Sequence, residues 1–280
     1  MAKRPNPYAW GPTGQSLQMQ DQYRKPAWTK AGNFSYRPVQ PRAGYDSVAR
    51  SRGAQVTGEM KYYDTDSGSI TITAVTTTWG AGTMADPVTS INLGSPAVAN
   101  PLCLCCPLVG AALNQRIGRH IKVMKIKLTG TIQCAPQAAQ NTADANSLIR
   151  LLLVQDLQTN SAQMTGAQLI NDGASVTSTV CAYQNPNNFG RFRVLKEKRF
   201  TLANLNYAGS PTGNDVIQAG QMIKFKINHK FAKPVNCQFN ATNGGTVADI
   251  VDNSFHVVCG ASSVAMVPIL NYYCRVSYKE

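Results

Sequence analysis

Apolar and polar residues alternate with a period of two along much of the chain after residue 58, a pattern typical of β-strands with one buried face. In segment 221–230, apolar side chains alternate with lysine and asparagine. In segment 121–132 the alternation places Met124 with isoleucine and leucine on one face, and lysine and threonine on the other. Segment 147–155 has a nearly continuous apolar run, which predicts a strand covered on both sides.

Strand-like segments of this kind recur along the chain, separated by long loops rich in Gly, Pro and Asn. The predicted strands are 69–79, 121–132, 147–155, 191–202, 221–230, 234–240, 255–261 and 269–278. Helix signals are scarce and are confined to 165–171 and a turn near 138–145. Because the connections are long, we predict an all-β fold, a single eight-stranded jelly roll made of two facing four-stranded antiparallel sheets. An immunoglobulin-like sandwich is the alternative.

The first fifty-odd residues lack any apolar run that would form a core, and they are strongly basic. Nine Lys and Arg against two acids give residues 1–52 a net charge of +7, which leaves +6 of the total of +13 for the rest of the chain. The basic residues are Lys3, Arg4, Arg24, Lys25, Lys30, Arg37, Arg42, Arg50 and Arg52. Such a composition predicts a disordered basic N-terminal arm over 1–57 and one folded domain over 58–280.

The arm has the chemistry of a nucleic-acid ligand, because its cationic side chains are suited to phosphate contacts. It also holds seven of the 22 aromatic residues of the chain, including Trp10, Trp28 and Tyr36. Rings in a flexible segment suit stacking on the exposed bases of a single strand. Packing of the same rings onto the folded domain or a neighbouring chain is an equal alternative. We therefore predict nucleic-acid binding by the nine basic residues and these three aromatic ones.

Catalytic and metal-binding motifs are missing from the sequence, so we expect neither an enzyme nor a cofactor. The three histidines, His120, His229 and His256, stand in separate strand-like segments, and no HxH, HExxH, GxSxG or phosphate-binding loop is present. The cysteines are predicted to be reduced and packed. Asp64 and Asp66 are the one candidate for a bound cation, with a loop of Asx-turns as the alternative. No apolar stretch approaches membrane-spanning length, so we expect no membrane insertion.

Four strings resemble the capsid proteins of circoviruses and related viruses that have circular single-stranded DNA and encode a replication initiator. These strings are GEMKYYD at 58–64, NQRIGRHIK at 114–122, IRLLLVQDLQ at 149–158 and FGRFRVLKEKRF at 189–200. The first resembles the region leading into the first strand of those proteins. The order and spacing of the strings extend over residues 58–204, about half of the chain.

The resemblance implies a single jelly-roll protein that assembles with about 60 copies of itself into a small icosahedral shell, with the arm inside. Its expected partners are then itself and single-stranded nucleic acid, with DNA preferred, and its expected locations are the virion and the nucleus and cytoplasm of the host cell. A receptor and the nuclear import machinery are implied without being identified. The lysines of 122–127 and 224–230 are further candidates for contact with the packaged strand, or for subunit contacts or the exterior.

Two alternatives remain open from the residues alone. The first is the capsid protein of a small single-stranded RNA virus or satellite with a similar jelly roll, because phosphate contacts and stacking do not read the 2′-hydroxyl. The second is a non-viral nucleic-acid-binding β-sandwich module that stays monomeric or dimeric. The mass of the purified protein in solution distinguishes a shell, in the megadalton range, from such a module, near 30 kDa.

Overall fold

The computed structural model describes residues 59–75, 79, 89–91, 100–134, 146–203, 222–263 and 268–280. The predicted arm at 1–57, all twelve of its predicted nucleic-acid-binding residues and the predicted turn near 138–145 lie outside these ranges. Those interpretations therefore stay predictions.

The described residues form ten strands, two α-helices and two short 3₁₀ turns. The strands are β1 (Lys61–Asp66), β2 (Ile70–Thr71), β3 (Thr89–Ile91), β4 (His120–Gln133), β5 (Asn146–Asp156), β6 (Phe192–Ala203), β7 (Met222–Phe239), β8 (Ile250–Asp252), β9 (Ser254–Ala261) and β10 (Ile269–Lys279). The helices are α1 (Gly166–Leu169) and α2 (Val176–Cys181), and the 3₁₀ turns are Pro186–Asn188 and Val247–Asp249.

The strands form two antiparallel sheets whose neighbours come from distant parts of the sequence. The large sheet has the order β3-β1-β10-β4-β7-β8, with β2 beside β10, and the small sheet has the order β6-β5-β9. Such interleaving, in which a late strand lies between early ones, is the pattern of nested Greek keys. The fold is an all-β, jelly-roll-like sandwich, as predicted. The predicted four-plus-four division is wrong, because the large sheet has seven strands and the small sheet three.

The main core lies between the two sheets. Ile126 and Leu128 of β4, Tyr272 of β10 and Leu151 of β5 belong to one buried cluster. A second cluster covers the opposite face of the small sheet and includes Leu152 of β5. Strand β5 is therefore buried on both faces, as its continuous apolar run predicted.

The second cluster is closed by the two helices and by Trp79. Leu169 of α1 and Val180 of α2 pack in this cluster, and the Trp79 indole Nε1 donates to the Thr179 carbonyl at 2.8 Å. The predicted helix at 165–171 is confirmed as α1, whereas α2 was not predicted. Its sequence, VTSTVC, is poor in strong helix formers, and Ser175 caps it through Ser178.

Three strand predictions need correction. The predicted strands 221–230 and 234–240 are one strand, β7, because residues 231–234 form a bulge opposite β4 where Pro234 needs no ladder hydrogen bond. Within predicted strand 69–79, the described residues 69–75 and 79 are strand only at Ile70–Thr71, since the chain then leaves β10 and bridges Ala261 of the small sheet through Ala74. Periodicity did not predict β1, which buries charged residues.

Candidate nucleic-acid interface

The lysines of β4 and β7 come together on the outer face of the large sheet. The antiparallel register places Lys125 opposite Lys230 and Lys127 opposite Asn228. The residues between them, such as Ile126 and Ile227, point into the core and are buried. The alternation that predicted lysine faces on these two strands is therefore confirmed, and the two faces are one surface.

Strand β10 extends this surface on the other side of β4. Arg275 lies opposite Lys127, and Lys279 lies opposite Lys122. We call this surface, made by three neighbouring strands, the lysine face. It consists of Lys122, Lys125, Lys127, Lys224, Lys226, Lys230, Arg275 and Lys279.

A β-bulge in β4 is what aligns Lys122 with the other lysines. Strict alternation would place Lys122 and Lys125 on opposite faces of the strand. Opposite β10, Val123 and Lys125 pair with the adjacent residues Tyr278 and Ser277, so Met124 is an extra residue, and Val123 and Ile126 both stay buried. The predicted place of Met124 on the regular apolar face is therefore wrong. The sequence does indicate this bulge, because two residues, instead of one, separate the apolar positions 123 and 126.

Acidic residues neutralise little of the lysine face. Asp64 of β1 is buried, and both of its oxygens accept from Arg275, at 2.8 and 2.6 Å. Within the described ranges, no ion pair involves the six lysines that β4 and β7 contribute to the face. As far as the described residues show, the surface therefore keeps six positive charges without an ion-pair partner on these two strands. A fixed cationic surface of this kind attracts a polyanion.

The predicted cation pair Asp64 and Asp66 is engaged in local contacts. Besides Arg275, the Tyr273 hydroxyl donates to Asp64 Oδ2 at 2.6 Å. Asp66 Oδ1 accepts from the Gly68 backbone N–H at 2.9 Å, which is the Asx-turn that the alternative interpretation expected. Among the described residues, no group of three or more His, Cys, Asp or Glu side chains is arranged to hold a metal ion. A cation at this pair stays a prediction.

The histidines are separated in the structure as they are in the sequence. His120 is exposed at the start of β4, and His229 is half-buried on β7. His256 is fully buried, and its Nε2 lies 2.7 Å from the Ser254 hydroxyl, which also accepts from Thr159 Oγ1 at 2.7 Å. Sequence motifs did not predict this buried chain of hydroxyls. It joins β9 to the loop after β5 with no access from solvent, so it supports packing.

A cleft opens at the side of the sandwich where β6 of the small sheet passes β7 of the large sheet. Its volume is about 220 Å³. It is lined by Lys196, Glu197, Lys198, Lys226, Ile227 and Asn228. Lys226 also belongs to the lysine face, so the cleft and the face are continuous. The string at 189–200 resembles circovirus capsid proteins, but no sequence pattern predicted that this segment meets β7.

No helix in the described part of the chain has the length and apolar character that crossing a membrane requires.

No protein-family model and no curated protein matches this chain. Among solved structures, dimeric latent PorU from Porphyromonas gingivalis matches with a TM-score of 0.29 and 9% identity over 80% of this chain. The match covers only 13% of that protein. VP1 of Trichodysplasia spinulosa-associated polyomavirus, in complex with GM1 oligosaccharide, matches with a TM-score of 0.19 and 7% identity. It covers 79% of this chain and 92% of VP1. Likenesses this weak carry no argument about the fold or the function of this protein.

Proposed function

We propose that this protein is a circovirus-like viral capsid protein that assembles into a small icosahedral shell and packages circular single-stranded DNA. The observation that carries the proposal is the lysine face on a jelly-roll-like sandwich, in a chain whose first 52 residues have a net charge of +7. In this role the protein is structural and performs no catalysis. Its partners are further copies of itself and the enclosed strand, and it resides in the virion and in the host nucleus and cytoplasm.

Charge balance explains why the arm alone is not enough for packaging. About 60 arms of +7 bring ~420 positive charges, each able to neutralise one phosphate. The coding sequence of these 280 residues alone needs 840 nucleotides. We infer that the folded domain contributes cations through the lysine face, and that mobile cations make up the remainder, because the full charge of +13 on about 60 copies gives only ~780. In a closed shell this requires the outer face of the large sheet to point toward the interior.

Electron microscopy of the purified full-length protein, together with nuclease typing of whatever it protects, tests the proposal. We expect closed particles of megadalton mass by size-exclusion chromatography, holding nucleic acid that DNase degrades once the particles are opened. Contents that only RNase degrades would indicate an RNA virus capsid. A chain that stays near 30 kDa at high concentration, with and without oligonucleotide, would overturn the proposal in favour of a nucleic-acid-binding module.

A further inference from the structure

The cleft between β6 and β7 lies where both strands have an open edge. Among the strands of the described ranges, β6 pairs with β5 on one side only, and β7 pairs with β8 only from Gln238 onward. Along residues 222–236 the edge of β7 that faces away from β4 therefore has no strand neighbour among the described residues. The cleft is formed between these two edges, and its walls come from both sheets.

Three lysines line the cleft. Lys196 and Lys198 belong to β6 and Lys226 to β7, and none of them has an ion-pair partner among the residues that the structure describes. The side-chain amide of Asn228 adds a neutral donor at the same place. Three positive side chains that line one cleft favour the binding of an anion there.

The one carboxylate of the cleft is already neutralised from the other side of β6. Arg150 Nε and Nη2 donate to Glu197 Oε1 and Oε2 at 3.1 and 3.3 Å, and Arg199 Nε donates to Oε1 at 2.6 Å. Burial raises the pKa of Glu197, but the hydrogen bonds from Arg199 and Arg150 outweigh it, and the net pKa is lowered. Glu197 is thus ionised and bound to two arginines, and it leaves the three lysines uncompensated.

The half-buried imidazole of His229 responds to the same positive charge. Its pKa is lowered first by burial and then by the charge of Lys196. The positive potential of the cleft therefore extends into the edge of the sandwich.

We propose that this cleft binds a phosphodiester group of the single-stranded polynucleotide and fixes the strand at a defined point on each subunit. The proposal rests on the proposed function, since it names where the body of the protein contacts the packaged strand. Lysine is a strong binder of phosphate through its point charge, and a volume of about 220 Å³ accommodates a phosphate with part of its sugar. The competing explanation is that lysines on open strand edges only prevent edge-to-edge association.

The test measures binding of fluorescein-labelled decathymidylate to the full-length protein by anisotropy over a range of KCl concentrations. In the variant K196Q/K198Q we expect weaker binding and a log–log salt slope shallower by about 0.7, because the cleft is proposed to hold one phosphate and each phosphate contact on a single strand contributes about 0.7. The matched control R193Q/K233Q removes two charges from the exposed surfaces of the same strands, outside the cleft, and should leave the slope nearly unchanged. The variant K196R/K198R keeps the charge and should bind as the unmodified protein does.

Photocross-linking gives a second readout that does not depend on affinity. A decamer with 4-thiothymidine should cross-link to peptides from 192–203 or 222–239, and K196Q/K198Q should lose that cross-link. An unchanged slope together with an unchanged cross-link pattern would overturn the proposal, and so would a variant that only aggregates, which is the result expected from edge protection.

Particles that assemble and package normally with the slope unchanged would refute the cleft alone. A slope that changes in a chain that never assembles would refute the shell and support the cleft.

Discussion

Arg275 on β10 lies directly opposite Asp64 on β1, and its Nε and Nη2 donate to the two carboxylate oxygens at 2.8 and 2.6 Å. The Asp64 side chain is 1% exposed, whereas that of Arg275 is 43% exposed. The exposed guanidinium of Arg275 therefore stabilises the buried carboxylate of Asp64 from the solvent side of the sheet. It also removes one cation from the lysine face, because the charge of Arg275 is matched by Asp64.

Replacing Arg275 by Gln should destabilise the fold by roughly 1–3 kcal/mol, because the buried Asp64 carboxylate then keeps, among the described residues, only the Tyr273 hydroxyl as a side-chain donor. The free energy of unfolding in urea measures the effect. The matched control is K127Q on the neighbouring strand, where the side chain is exposed and a change below about 0.5 kcal/mol is expected. Equal effects of the two substitutions would contradict this account of the pair.

Gly130 in the middle of β4 allows a close approach of the neighbouring strands. A Cβ at this position would lie 2.2 Å from the Asn271 carbonyl oxygen and 2.8 Å from both Phe225 Cζ and Tyr272 Cβ. We expect G130A to cost about 1–3 kcal/mol of unfolding free energy, because backbone and core atoms would have to move. G190A is the control, since nothing lies within 4 Å of a Cβ there. A G130A protein as stable as G190A would show that the sheet adjusts without cost.

Arg116 joins two loops at one end of the sandwich through hydrogen bonds to backbone carbonyls. Its guanidinium is buried, donates to the carbonyls of Pro107, Gly118 and Thr242 at 3.1, 2.7 and 3.2 Å, and lies 4.4 Å above the Phe239 ring. R116M leaves these carbonyls without their donors, so we expect a loss on the order of 2–4 kcal/mol. Arg119 is exposed nearby, and R119M should be nearly neutral. Denaturation midpoints that coincide for the two variants would rule out this role.

The lowered pKa of His229 predicts a dependence of stability on pH. Burial and the charge of Lys196 hold the folded-state pKa below the ordinary value of 6.5, so the folded state binds fewer protons than the unfolded state. The stability that the neutral imidazole of His229 provides is fully present above pH 6.5. It is lost as the pH falls from 6.5 through the folded-state pKa. Urea midpoints measured between pH 7.5 and 5.5 should decline, and H229N should flatten that decline. A decline of the same size in H229N would assign it to other groups.

The sequence patterns predicted the parts of the fold that depend on burial of one or two strand faces. The continuous apolar run of β5 and the alternation along 221–230 of β7 follow directly from contact with the core, so each predicted a strand and its inward side chains, although β7 continues to Phe239. Strand β1 was missed by periodicity because Lys61 and Asp64 are buried as ion pairs with Glu280 and Arg275, which lie more than 200 residues away. A local pattern carries no information about such partners.

The candidate interface was predictable only strand by strand. Alternation placed lysines on one side of each strand, but the pairing of β4 with β7 and β10 is a long-range property of the topology. The bulge at Met124 and the passage of β7 through Pro234 depend on that pairing as well, because the extra residues have meaning only against a partner strand. The cleft, which needs β6 and β7 from different sheets, had no sequence signal at all.

Neutralising the lysine face should lower packaging without preventing assembly. In K122Q/K125Q/K127Q three outward side chains of β4 lose their charge, while the inward neighbours that form the core are unchanged. We expect purified particles of normal size whose ratio of absorbance at 260 to 280 nm is reduced, because fewer phosphates are neutralised. Glutamine replacements at Arg4, Arg24, Arg37 and Arg42 in the arm should reduce the ratio too, and the two sets together should reduce it further. K→R replacements at the three β4 positions serve as the control and should package normally. Particles of K122Q/K125Q/K127Q with undiminished nucleic-acid content would show that the lysine face points away from the enclosed strand.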